Sequence, residues 1–332
     1  MILRTLKSSG PLNYILFLII GILFWISSLR FPFSYDYFDG ENKSIFFKLF
    51  DKITDGYPFL QVLLSLVFVL LIAFLIQQIN SRFALIKART KLPIAVYIII
   101  VGGFTSMHTL HPVYFAAIFT LIGIHSLFSI FNNPNPELDI FNAGLFLGVG
   151  TLFYFNLIVI LPAFLIAVST LRRERKWREF LILIIGFIIP VLFALTYVFF
   201  TNQLNDAFLT IQNNIFTPVN HFKTNYPLQG FLALLVFLTI VGSIKIMQQY
   251  DSRKVSTRKF YLVLFIIFIF SMISFIFIPA ASQEMLVIAV LPLTFLISNL
   301  FTSIESGFWR ELLFTLLLGT AVFMQFADKL IP

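Results

Sequence analysis

The chain has 332 residues, of which 59% are hydrophobic, only 11% are charged and 44 are phenylalanine. Its mean hydropathy of +0.95 lies far above a soluble domain, whose apolar content is about 45–50%, so a soluble enzyme is excluded and an integral membrane protein is expected. The absence of cysteine excludes a disulfide framework, thiolate catalysis and Cys-type zinc sites, while the formal charge of +8 leaves nucleic acid or anionic lipid as partners until the charges are located.

The apolar runs, in chain order, lie near 12–29, 58–79, 91–106, 111–131, 140–154, 156–171, 178–200, 228–248, 260–279, 284–301 and 308–326. A spanning helix needs about 20 apolar residues, so these runs predict an all-α polytopic protein of about 11 transmembrane helices. A single transmembrane domain then occupies 1–332, with no soluble domain. A β-barrel is excluded, because the runs are continuous and lack the alternation of barrel strands. The first run follows Arg4 and Lys7 as a signal peptide would, but "ISSLRFPFS" offers no small-x-small cleavage site, and a retained first helix is expected.

Directly after it comes "FPFSYDYFDGENKS", residues 31–44, which gathers Asp36, Asp39 and Glu41 within six positions. The following "KSIFFKLFDKITDG" sets Ile45, Phe46, Leu49, Phe50 and Ile53 on one helical face and Lys48, Asp51, Lys52 and Asp55 on the other. That spacing predicts an amphipathic interfacial helix in the first outer loop, holding the acidic turn near the bilayer surface. The second long connection, 201–227, is rich in Asn and nearly uncharged, and is expected to cover the same face.

Basic residues cluster at Arg82, Lys87, Arg89 and Lys91, at Arg172, Arg173, Arg175, Lys176 and Arg178, and at Lys245, Arg253, Lys254, Arg258 and Lys259. With a cytoplasmic N-terminus and eleven spans, all three clusters lie inside and the C-terminus lies outside. The expected location is the bacterial inner (cytoplasmic) membrane, crossed many times. The basicity is then topological, in contact with anionic headgroups, and no nucleic acid partner is expected.

Few residues carry candidate chemistry. His108 and His111, three apart in "HTLHP", would share a helical face at the outer surface, where they can meet phosphate or give two ligands to a divalent metal. His125 is fourteen residues further along the same span, about 21 Å at about 1.5 Å per residue, too far to complete such a site. His221, Lys223 and the acidic turn remain as neighbours. Glu284 opens the tenth span on the outer side and is expected to face the cavity of Asp36. "VGG" at 101–103 and "GLFLGVG" at 144–150 lie within apolar runs and predict close helix packing. Each of these polar groups has a plain structural reading too: solvated turn, helix cap or intramembrane hydrogen bond.

The order of features resembles the GT-C superfamily of membrane glycosyltransferases, in particular its protein O-mannosyltransferase and aminoarabinose transferase branch. The likeness runs through the acidic first outer loop with its juxtamembrane helix, "RTKLP" at 89–93, "LHPVYFAAIFTLIGIHSLFSIF", the Gly-rich "FNAGLFLGVGTLFYFNLIVILPAFLIAV", the basic turn "RRERKWREFLILIIGFIIPVLFAL" and "QEMLVIAVLPLTFLISNL". It covers roughly residues 1–300. The resemblance implies transfer of a sugar or related group from a polyprenyl-phosphate carrier to an outer-face acceptor, in a cavity roofed by the loops at 30–57 and 201–227. Asp36 would be the base, with Asp39 second and Glu284 a further acid. Arg30, His108 and His111 would assist at the phosphate, with His221 and Lys223 as further cationic candidates. No organic cofactor is implied, and membrane lipid is the expected partner. The chain departs from the family where "TSMHTLHP", "ASQEML" and "LFYFNL" lack its acidic or cationic residues. A non-catalytic lipid-binding or envelope-assembly subunit with the same helices is therefore the alternative, and a transporter the third reading.

Overall fold

A computed structural model describes residues 12–38, 41, 44, 46–86, 90–172, 177–218, 225–249 and 253–330. Thirteen α-helices account for most of it: α1 (Leu12–Arg30), α2 (Phe47–Thr54), α3 (Pro58–Phe83), α4 (Leu92–Gly102), α5 (Pro112–Ser129), α6 (Glu137–Phe153), α7 (Leu161–Leu171), α8 (Trp177–Phe200), α9 (Leu204–Phe216), α10 (Tyr226–Gln248), α11 (Val255–Phe277), α12 (Gln283–Ser303) and α13 (Gly307–Leu330). Short 3₁₀ turns at Thr105–Met107 and Phe155–Ile160 complete it, and no strand occurs among the described residues. Five helices, α3, α4, α5, α7 and α10, begin with proline at the first or second position, where its missing N–H costs nothing.

Eight helices are long and apolar enough to cross a membrane: 13–30, 58–83, 112–129, 177–200, 226–248, 255–277, 283–303 and 307–327. The segments at 92–102 and 155–171 are shorter apolar helices, and α6 carries Glu137 and Asp139 in its first turn. The break between the runs near 140 and 171 falls at Tyr154, where α6 ends and the 3₁₀ turn begins.

Burial orders the bundle. In α12, 94% of the apolar window is buried, against 22% in α13 and 28% in α8. A helix apolar on every side belongs in the interior, and α12 sits there against α4, α5, α10 and α11. The outer helices turn large side chains such as Phe193, Phe200 and Phe277 outward, as a hydrocarbon surround permits.

Small residues bring α6 and α8 together, as the Gly-rich stretch predicts. A Cβ on Gly144 or Gly148 would run into the carbonyls of Leu183 and Phe187, and one on Gly186 into that of Phe141. Contacts through backbone leave no side chain to move aside.

Helix reversal divides the connections into two ends. Tyr261 to Leu85, Arg172 to Asn133 and Lys259 to Leu171 link one set; this basic end holds Arg82, Arg172, Arg178, Arg253, Lys254 and Arg258. The connections 31–57, 103–111, 154–160 and 278–282 meet at the other. There a short helix α2 forms in the stretch expected to be amphipathic, but it buries Phe47, which the apolar face named from sequence did not include, while Phe46, Phe50 and Ile53 of that face are exposed along with Lys48 and Lys52. Helix α9, from the other long loop, packs on the Phe155–Ile160 turn.

Gly186→Ala is expected to lower stability by about 1–3 kcal/mol through overpacking, seen as a lower midpoint of thermal unfolding in detergent. Gly230→Ala, where nothing lies within 4 Å of the added Cβ, should leave that midpoint unchanged or slightly raised.

Candidate functional site

The site starts from one backbone constraint. Pro112 opens α5 and pushes the residue before it toward extended backbone, so His111 takes φ −137° and ψ 144° and becomes the N-cap. Its Nδ1 accepts the Val113 N–H at 3.1 Å. A ring nitrogen that accepts cannot carry a proton, so the neutral ring holds its proton on Nε2. Nε2 lies 2.9 Å from Oε1 of Glu41, to which it donates. Both residues are buried, His111 at 0% and Glu41 at 4% exposure.

Three tyrosines box the imidazole. Tyr35 stands edge-on at 4.6 Å between ring centroids, Tyr37 lies over it at 5.7 Å and Tyr154 is edge-on at 6.1 Å. Residues 32–38 form no helix, and in extended chain alternate side chains point the same way. Tyr35 and Tyr37 therefore turn inward together, and Asp36 between them is exposed. Tyr37 donates to the Leu110 carbonyl at 2.7 Å, while Tyr35 donates to Oε2 of Glu284 at 3.4 Å.

Glu284 is the second acid. Its Oε1 accepts from Tyr154 Oη at 3.2 Å and from the Ser282 N–H at 2.6 Å, and it is 1% exposed. Asn156 donates to the Tyr154 hydroxyl at 3.5 Å, and its own Oδ1 is buried without a partner. Beside Tyr37 an aromatic wall continues through Phe47, Phe115 and Phe153, the last two stacked at 4.9 Å.

Electrostatics follows from desolvation. Burial pushes the Glu41 carboxyl up to about 8, since removing water disfavours its anion. Burial likewise holds His111 down at about 4, against a smaller opposite pull from Glu284. The Val113 N–H at Nδ1 works in the same direction, because an imidazolium would have to give up that cap. Burial first, then Glu284 and Glu41, keeps the Tyr35 hydroxyl far above its ordinary range and hence a donor. Among the described residues, no Lys or Arg belongs to the groups whose charge bears on Glu41 or Glu284.

The structure redistributes the residues singled out by sequence. Glu284 joins His111 through the tyrosines, but its acidic neighbour is Glu41 and not Asp36. His108 and His111 do not share a helical face, because the 3₁₀ turn ends at Met107 and α5 starts only at Pro112. His108 instead stacks on Trp25 at 4.0 Å, pairs with Ser28 Oγ at 3.1 Å and reaches the Gly102 carbonyl at 3.2 Å. It clamps α1 to α4 and offers no group to a ligand. Arg30 is exposed at the end of α1, with its guanidinium 5.5 Å from the Phe31 ring. His125 is half-buried against Phe83 near the basic end. Asp39, His221 and Lys223 lie outside the described residues. Among the described residues no three His, Asp or Glu groups converge as a metal site.

Glu41, Tyr35, Tyr37 and Tyr154 escaped the sequence reading as site residues. The alternation in "SYDYF" was the available signal, because it forces Asp36 and its flanking tyrosines to opposite sides. Nothing local marks Tyr154.

Residues 44–332 match the profile of a family of unknown function, DUF6427. Comparison with curated proteins and with solved structures finds no match.

The pH dependence of stability follows from Glu41. Its folded-state value of about 8 exceeds the ordinary 4.5, so the folded protein holds a proton that the unfolded chain releases. That contribution is complete below about pH 4.5 and is lost as pH rises through about 8. The thermal midpoint in detergent is expected to fall between about pH 4.5 and 8 and to level off above, and to fall less in Glu41→Gln, which keeps the shape without the titration. An equal fall in both proteins removes Glu41 as the cause.

Proposed function

We propose, for a chain that belongs to the DUF6427 family of unknown function, that it transfers a sugar or related group from a polyprenyl-phosphate carrier to an acceptor at the outer face of a bacterial inner membrane. The arrangement is GT-C-like: eleven spans, with the three shorter helices crossing as well, a cytoplasmic N-terminus and basic end, and the buried acidic cluster facing outward. The observation that carries this reading is the Glu41–His111 pair. A carboxyl and an imidazole in contact, with the ring tautomer held by a backbone N–H, have the form of a proton acceptor held in place by a fixed donor.

Roles follow from position. Glu41 takes the proton of the acceptor hydroxyl in its ionised form, which becomes the main one only as pH rises past about 8, replacing Asp36 as the assigned base, and His111 holds the Glu41 carboxyl in place. The Tyr35 and Tyr154 hydroxyls, tied to Glu284, line the pocket as donors, and the unpartnered Asn156 Oδ1 supplies an acceptor for a substrate hydroxyl. The aromatic wall of Phe47, Phe115 and Phe153 gives an isoprenoid chain an apolar surface next to the acids. Helix α2 caps this wall at the level where a lipid-borne substrate enters.

A second reading, a lipid-binding subunit without catalysis, is favoured by one observation. No Lys or Arg among the described residues bears on the cluster, although a departing phosphate is normally met by cations.

Lipid extracts analysed by mass spectrometry separate the two. A strain lacking the protein is expected to accumulate a polyprenyl-phosphate-linked donor, cleared by the wild-type chain and by Asp36→Asn. Glu41→Gln, present in the membrane at the same level, should leave it accumulated. Clearance by Glu41→Gln with failure of Asp36→Asn returns the base to Asp36, and an unchanged lipid profile in the deletion strain removes group transfer altogether.

A further inference from the structure

At the basic end, opposite the acidic cluster, a guanidinium is buried without a counter-charge among the described residues. Arg253, just before α11, is 8% exposed. Its Nη2 donates to Gln249 Oε1 at 2.7 Å, at the end of α10, and to Asn299 Oδ1 at 2.9 Å, on the central helix α12. Its guanidinium carbon lies 5.4 Å from the Tyr261 ring centroid, and the Tyr261 hydroxyl is tied to the Leu85 carbonyl. These partners are all neutral, and among the described residues no carboxylate pairs with Arg253.

Two buried donors are left over. Arg253 Nε has no acceptor, and neither does Nδ2 of Asn299, which is 1% exposed. Rotating the Asn299 amide does not cure this, because it would aim an N–H₂ at the guanidinium. A buried charge is ordinarily paired, and buried donors are ordinarily satisfied. The missing partner must accept without donating, carry negative charge and suit the planar fork of an arginine, which describes an oxyanion. Further positive charge surrounds the place: Arg258 Nε donates to the Arg253 carbonyl at 3.0 Å, and Lys254 is the N-cap of α11.

We propose that Arg253 and Asn299 form a phosphate-binding site at the basic end, which takes either inorganic phosphate or the phosphate of an anionic lipid headgroup. The bound oxyanion satisfies Nε of Arg253 and Nδ2 of Asn299 together, and so ties the link between α10 and α11 to the central helix. The site is independent of the acid–base cluster and does not rest on the proposed transfer reaction.

The test uses the full chain in non-ionic detergent, with thermal unfolding as the readout. In one arm sodium phosphate replaces sodium chloride at constant ionic strength, and in the other phosphatidylglycerol replaces phosphatidylcholine in nanodiscs. The wild type is expected to gain on the order of 3 °C in at least one arm; a gain with phosphate identifies a soluble ligand, a gain with phosphatidylglycerol alone a lipid. Asn299→Asp places a carboxylate beside Arg253. This variant should start from a higher midpoint than the wild type and lose the response. Because Arg253 also holds the link in place, its removal alone would not discriminate, and the gain-of-charge variant keeps the idea falsifiable. No response of the wild type in either arm overturns it, as does an Asn299→Asp response equal to wild type. Asp251 lies outside the described residues, and an Asp251→Asn chain that acquires a response the wild type lacks also overturns it, by showing that the counter-charge is internal.

Discussion

A carboxyl and an imidazole taken out of water together have to satisfy each other, and the outer-loop architecture is arranged around that requirement. His111 is fixed first, because Pro112 and the Val113 N–H determine both its backbone and its tautomer. Glu41 must then come to Nε2, at the same end of the bundle as Tyr35 and Tyr37, and α2 sits beside α3. Breaking such a pair from one side leaves an unsatisfied buried polar group, at a cost of about 1–3 kcal/mol. The loop is consequently held in place by polar contacts at its base, while its exposed edge, with Asp36 and Ile53, touches nothing comparable.

The central helix supports both ends of the molecule. Glu284, in the first turn of α12, receives the tyrosines of the acidic cluster, and Asn299, in its last turns, receives Arg253. Between them α12 is apolar on all sides and buried. Packing of this density transmits small displacements poorly to a fluid surround and well along the helix. The polar groups at its two ends are thus carried on one buried helix, with Pro292 between them.

Several features were open to a reader of the sequence, each for a local reason. The apolar runs mark their helices because burying backbone in hydrocarbon leaves few alternatives to helix. The "GLFLGVG" stretch signals the backbone contact of α6 with α8, and the amphipathic period marks α2. Glu284 was visible as an acid at a helix start. What misled was the treatment of "HTLHP" as helical spacing: the proline that starts α5 also ends the geometry on which an i, i+3 relation depends. Asp36 stands apart from the cluster, exposed between Tyr35 and Tyr37, whose rings turn toward His111.

Composition, hydropathy and charge distribution by themselves determined that this is an all-helical membrane protein with a basic end and an acidic first loop, because those properties act residue by residue or over a few turns. Tertiary structure alone decided which acid meets His111. The contacts that join Glu41 to His111, Tyr154 to Glu284 and Tyr35 to Glu284 span 70, 130 and 249 residues, and no local pattern encodes which loops of a bundle meet. The same holds for Arg253 and Asn299, 46 residues apart: their unmet donors exist only because helix packing removed the water that would otherwise have met them.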